Sequence, residues 1–146
     1  MIPFDSLNVQ NHEVSELSKV LTVLIQDREV CDTSITCDLF LRYTDKVKNH
    51  LDMVDKTLFS DLLSHSDSKI NATANRFLNG SWEIKRIFNS YTQKWCAKGL
   101  HIYNHDQFIA ETQEIFRLIQ ERTLAETEEL YPLARDVESE KLALSA

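Results

Sequence analysis

Apolar residues recur at steps of three and four along nearly the whole chain, the signature of helices with one buried face. One series runs Leu39, Tyr43, Val47, His50 or Leu51, Val54, Leu58, Leu62. Another runs Ile70, Ala74, Phe77, Ser81, Ile84, Phe88, Tyr91, Trp95. A third runs Phe108, Thr112, Ile115, Ile119, Arg122, Glu126, Leu130, Leu133, and a shorter one Val14, Leu17, Val20 or Leu21, Leu24. Three polar stretches interrupt these series: Asp27 to Thr33, Ser64 to Ser68, and Lys98-Gly99 through Asp106. They bound four helical segments at about 6–27, 33–64, 68–97 and 105–137. Asp32 or Thr33, Asp67 or Ser68, and Asn104 or His105 stand at the starts, where a short side-chain oxygen can bond the free N–H groups of a first turn. Short connections between long helices make neighbours antiparallel. The pattern predicts an all-α chain folded as an up-down-up-down four-helix bundle. It forms one domain over residues 1–146, with its core at about 6–137 and a C-terminal tail at about 138–146.

The polar residues inside the apolar stripes carry the chemistry. His50 falls in the second stripe, Ser81 in the third, and both Arg122 and Glu126 in the fourth. Extending the first stripe upstream places Asn11 inward and turns His12 about 100° away from it. A charge in a buried seam is costly unless it is paired or bound. Arg122 and Glu126, one turn apart on one helix, are placed to pair. The predicted polar layer is therefore Asn11, His50, Ser81, Arg122 and Glu126. Gly80, beside Ser81, costs about 1 kcal/mol inside a helix relative to Ala unless it permits a close approach.

Composition sharpens the class. Only 2 Gly and 2 Pro occur in 146 residues, where an average chain would carry about 17 of the two together. That scarcity excludes turn-rich β structure and Gly-rich phosphate loops. Hydrophobic residues make up 42% of the chain, enough for a core, and no apolar run approaches the roughly 20 residues of a membrane span. The start, lacking a basic region and an apolar core, does not read as a signal peptide. Three cysteines without CxxC spacing fit a reduced, cytoplasmic setting. A net charge of −7 argues against nucleic acid, and no membrane partner is expected.

The sequence resembles the hemerythrin-like, or HHE cation-binding, domains. The matching residues are Asn11-His12, then His50-Leu51-x-x-x-Asp55-x-x-Leu58-Phe59, then Arg122-x-x-x-Glu126-x-x-x-Leu130-Tyr131-Pro132. In that family, helices two and four each carry His-x-x-x-Glu ahead of a Leu-Tyr-Pro type ending. The bundle holds a di-iron centre made by five His and two carboxylates. Positions i and i+4 share one helix face, so such a pair can reach one metal site. Here Val54 stands at the helix-two Glu position and Arg122 at the helix-four His position, while Ser81 sits near where helix three should offer His. Arginine is a permanent cation and shares no metal. The resemblance therefore implies a lost di-iron centre, with the Arg122 guanidinium in the metal's place.

Three functions follow as expectations. The first is a hemerythrin-like binding or sensor protein without its di-iron centre and without catalysis. The second keeps a single metal ion, iron before others, at His12, His50 and Glu126. The third is a structural or oligomerising bundle, with Trp82 and Ile109 as contact points. A second copy or another protein is the partner class left open. No catalytic residues are expected, because no Ser-His-Asp order, phosphate loop or convincing carboxylate pair occurs. His65, His101 and His105 read as solvated loop residues. Asp55 reads as an exposed or half-buried carboxylate, about 100° round the helix from Val54.

Overall fold

The computed structural model describes residues 1–145 and is all-helical. Its elements are α1 (Phe4–Leu24), α2 (Arg28–Cys31), α3 (Ser34–Thr57), α4 (Phe59–Leu63), α5 (Ser68–Cys96) and α6 (His105–Ala125). A π-helical turn (Glu126–Leu130) then leads directly into α7 (Tyr131–Ser145). Among the described residues, no helix is long and apolar enough to cross a membrane.

The helix starts follow from capping chemistry. Thr33 accepts from the Thr36 N–H, Asp67 from the Lys69 N–H and Asn104 from the Gln107 N–H, each satisfying one otherwise free first-turn donor. Asp27 does the same for the short α2, which the sequence pattern did not anticipate. Gly99 takes a φ of 89°, a left-handed conformation that a side chain disfavours, and so turns the chain between α5 and α6. The expected C-terminal tail is helical as far as Ser145. It is tied down where Glu138 accepts from the Ile2 N–H at 2.7 Å and Glu140 meets His65 at 3.0 Å. Ala146 lies outside the described residues.

The long helices pack in a ring: α1 on α3 and α6, and α5 on α3 and α6. Their buried faces form two apolar clusters. One holds Phe40, Tyr43, Phe88, Tyr91, Trp95 and Phe108 together with Leu21 and Ile119. The other holds Leu7, Val54, Leu58, Phe77, Leu130 and Tyr131. On three of the helices a single polar position divides the two: Asn11 between Leu7 and Val14, His50 between Val47 and Val54, Ser81 between Phe77 and Ile84. On the fourth, Arg122 and Glu126 lie between Ile119 and Leu130. The core is thus cut by a polar layer.

Candidate functional site

Glu126 is the centre of that layer, with no exposed surface. A carboxylate so placed is costly unless its lone pairs meet donors. Its Oε2 accepts from Arg122 Nε at 3.1 Å. Its Oε1 meets His50 Nε2 at 2.7 Å and the Tyr131 hydroxyl at 3.3 Å. The other ring nitrogen of His50, Nδ1, faces the Gln10 side-chain amide at 2.8 Å. Asn11 Nδ2 donates to the Tyr131 oxygen at 3.2 Å. A continuous chain of hydrogen bonds therefore runs from α1 through Tyr131, Glu126 and His50 back to α1. Burial first, and then the neighbouring Glu126 charge, push the Tyr131 phenol well above its ordinary pKa, so it acts as a neutral donor.

Arg122 is held on three sides. Besides Glu126, its Nη1 donates to the Phe77 carbonyl at 2.9 Å, and its guanidinium lies over the Phe77 ring, 5.0 Å from the centroid. Gly80 makes this approach possible: a Cβ there would sit 3.1 Å from Nη1. This is the close approach that offsets a glycine in mid-helix. The i,i+4 pair Arg122–Glu126 is thus a buried ion pair and not a surface one.

The backbone under Glu126 is irregular. The Tyr131 N–H bonds the Glu126 carbonyl five residues back, closing a π turn. The turn lies immediately ahead of Pro132, which has no N–H and would crowd the carbonyl four residues before it in a regular helix. Leu130 and Tyr131 are both buried.

Four of the five expected layer residues meet in this network: Asn11, His50, Arg122 and Glu126. Ser81 is buried at the same level but belongs to an adjoining group. Its hydroxyl donates to Asp55 Oδ1 at 2.8 Å, and Lys85 Nζ lies 2.5 Å from Asp55 Oδ2 and 3.0 Å from Asp52. Burial by itself would lower the Lys85 pKa, but the bonds to the two aspartates outweigh it and raise it. Asp55 is half-buried, as its position on the helix implied.

The ligand set His12, His50 and Glu126 is not assembled. His12 lies on the exposed face of α1, because the helix that turns Asn11 inward turns its neighbour out. Val54 is fully buried among apolar side chains and offers no donor. Among the described residues, no three His, Cys, Asp or Glu side chains gather as a metal ion would need. The residues present do not fit a metal pair: both oxygens of Glu126 are engaged, one of them by a guanidinium.

His105 corrects a reading from sequence. It is half-buried, and its Nε2 donates to the Ile25 carbonyl at 2.7 Å, beyond the end of α1. His101 is exposed, and so is Trp82 at 61%. Ile109, the other expected contact point, is half-buried. The cysteines are free thiols; burial raises the Cys31 pKa and pushes that of Cys96 up to about 12.

Sequence reasoning missed Gln10, Tyr131 as a donor, and the Phe77 carbonyl. For Tyr131 a signal existed, since Pro132 marks an irregular turn next to it. For Gln10 and a main-chain oxygen no sequence pattern gives one. Comparison of the chain with protein-family models, with curated proteins and with solved structures gives no match.

Proposed function

We propose that the chain is a hemerythrin-like, up-down-up-down four-helix bundle in which an organic ion pair replaces the metal centre, and that it serves as a binding or sensor protein without catalysis. The observation that carries this reading is the Arg122 guanidinium bonded to Glu126, whose other oxygen meets His50. The ring packing of α1, α3, α5 and α6 supports the bundle. The polar layer at one level on all four helices supports the family reading, because a ligand shell in such a bundle comes from facing helices at one height.

The arrangement favours the ion pair over a single retained metal. Glu126 would have to surrender Arg122 to bind an ion, leaving a buried guanidinium without its carboxylate, at a cost of several kcal/mol. The test is metal analysis of protein produced in iron-replete medium and purified without chelator, paired with its absorption spectrum. The expected result is substoichiometric iron and no ligand-to-metal absorption band. Stoichiometric iron bound at His50 and Glu126, lost on His50→Ala, overturns the reading.

A further inference from the structure

The Gln10 amide that meets His50 has a second partner, and it is a thioether. Its Nε2 donates to Met53 Sδ at 3.2 Å, while its Oε1 faces His50 Nδ1 at 2.8 Å. A thioether sulfur accepts and has no proton to give, so it fixes which end of the amide points at His50. The oxygen end does, and Nδ1 donates to it. Met53 is thereby the outer end of a relay that passes through Gln10 and His50 to Glu126, whose Oε1 lies 2.7 Å from His50 Nε2.

Met53 and Gln10 are both half-buried, on α3 and α1, whereas His50 and Glu126 are buried. The relay therefore runs from the margin of the helix pair to the centre of the polar layer. Its thioether is the one member that a mild oxidant readily changes. A hydroperoxide transfers a single oxygen to it. The sulfur lone pair forms the S–O bond, the O–O bond breaks, and with hydrogen peroxide the departing hydroxide takes up the remaining proton as water. The sulfur is oxidised by two electrons and the peroxide is reduced by two. The product is a polar sulfoxide, whose oxygen is a stronger acceptor than the thioether and lies one bond outward from the sulfur. The Gln10 NH₂ group must follow that oxygen or give way to it. Because the amide is planar, Oε1 turns with Nε2 and leaves its line to His50 Nδ1.

We infer that Met53 is a reversible oxidation site, taking one oxygen from a hydroperoxide, whose sulfoxide turns the Gln10 amide and resets the hydrogen bond to His50. This supplies a stimulus to the sensor reading above and rests on that reading for its role. Iron bound at His50 and Glu126 would refute the ion pair while leaving the oxidation chemistry of Met53 standing, so the two fail separately.

The full chain is treated with hydrogen peroxide, the modified residues are located by peptide mass mapping, and the ring-nitrogen resonances of His50 are recorded by NMR before and after. Met1, the other methionine and fully exposed, is the internal standard for reactivity. Met53→Leu, which keeps a similar apolar volume and the same cysteines, is the control. The expected results are one oxygen gained at Met53 in the folded protein and a shift of the His50 ring signals. The shift should be absent from treated Met53→Leu and be undone by methionine sulfoxide reductases. The inference is overturned if Met53 stays a thioether while Met1 is fully oxidised, if the His50 signals do not move when Met53 is oxidised, or if Met53→Leu shows the same shift. Loss of the helical circular dichroism on oxidation also overturns it, since the sulfoxide would then break the fold instead of turning Gln10.

Discussion

Replacing Arg122 with Met tests the polar layer most directly. Met keeps a flexible apolar stem but removes the charge, the 3.1 Å bond to Glu126, the 2.9 Å bond to the Phe77 carbonyl and the contact over the Phe77 ring. Glu126 Oε2 is left without a donor in a site with no exposed surface. Removing one partner of a buried ion pair costs about 3–5 kcal/mol, because the remaining charge is stranded. A domain's whole stability is about 5–15 kcal/mol, so the variant should lose a large share of it. The partner substitution then separates charge from packing. In Arg122→Met/Glu126→Gln the stranded carboxylate becomes a neutral amide that can still accept from His50 and Tyr131, and about 1–3 kcal/mol should return. Urea unfolding followed by circular dichroism measures all four proteins of the cycle. The reasoning is refuted if Arg122→Met costs less than about 1 kcal/mol, or if adding Glu126→Gln restores nothing.

Two other outcomes are fixed by the geometry. Gly80→Ala gains about 1 kcal/mol of helix propensity but crowds Arg122 Nη1, threatening a charged hydrogen bond of about 1.5–3 kcal/mol. It should therefore destabilise the parent by about 0.5–2 kcal/mol and stabilise the Arg122→Met protein, and unfolding curves in both backgrounds show whether the sign reverses. Alkaline pH should also destabilise the chain. Burial raises the pKa of Cys96 to about 12 and holds Tyr43, Tyr91 and Tyr131 above their ordinary value, so through this range the unfolded chain has released protons that the folded chain retains. Stability is unaffected by these groups below about pH 8 and falls as pH rises above about 9, by up to about 1.4 kcal/mol per pH unit per group. Urea midpoints that stay level between about pH 8 and about pH 10.5 would contradict this.

The all-helical character of the chain was legible because its determinants are local. The stripes of three and four, and the caps at Thr33, Asp67 and Asn104, each need only a few neighbouring residues to act. The inward turn of Asn11 was legible for the same reason. Ser81 shows where this stops: its level was readable from the stripe, but its partner Asp55, 26 residues away, depends on how α3 and α5 are rotated against each other. His105 shows it again. Its place in a polar stretch suggested solvent, yet the chain after α1 brings the Ile25 carbonyl beneath it, and a carbonyl beyond a helix end needs a donor.

The Leu130-Tyr131-Pro132 ending shows how a motif can be read as mechanics. In a regular helix Leu130 shares a face with Glu126, while Tyr131 lies about 140° round from it and could not cover the same carboxylate. The π turn adds a residue to the loop of backbone between them and turns Tyr131 back over Glu126, where its hydroxyl donates at 3.3 Å. Such a turn is unfavourable in most helices, because it replaces regular i→i−4 bonds with poorer ones. Here Pro132 has already removed one such bond and would clash in the regular geometry, so the irregular turn costs less at this point than elsewhere. Proline, π turn and phenol thus act together: the first makes the second tolerable, and the second delivers the third to a buried charge. The turn thus positions a neutral donor on one oxygen of Glu126, while Arg122 pairs with the other.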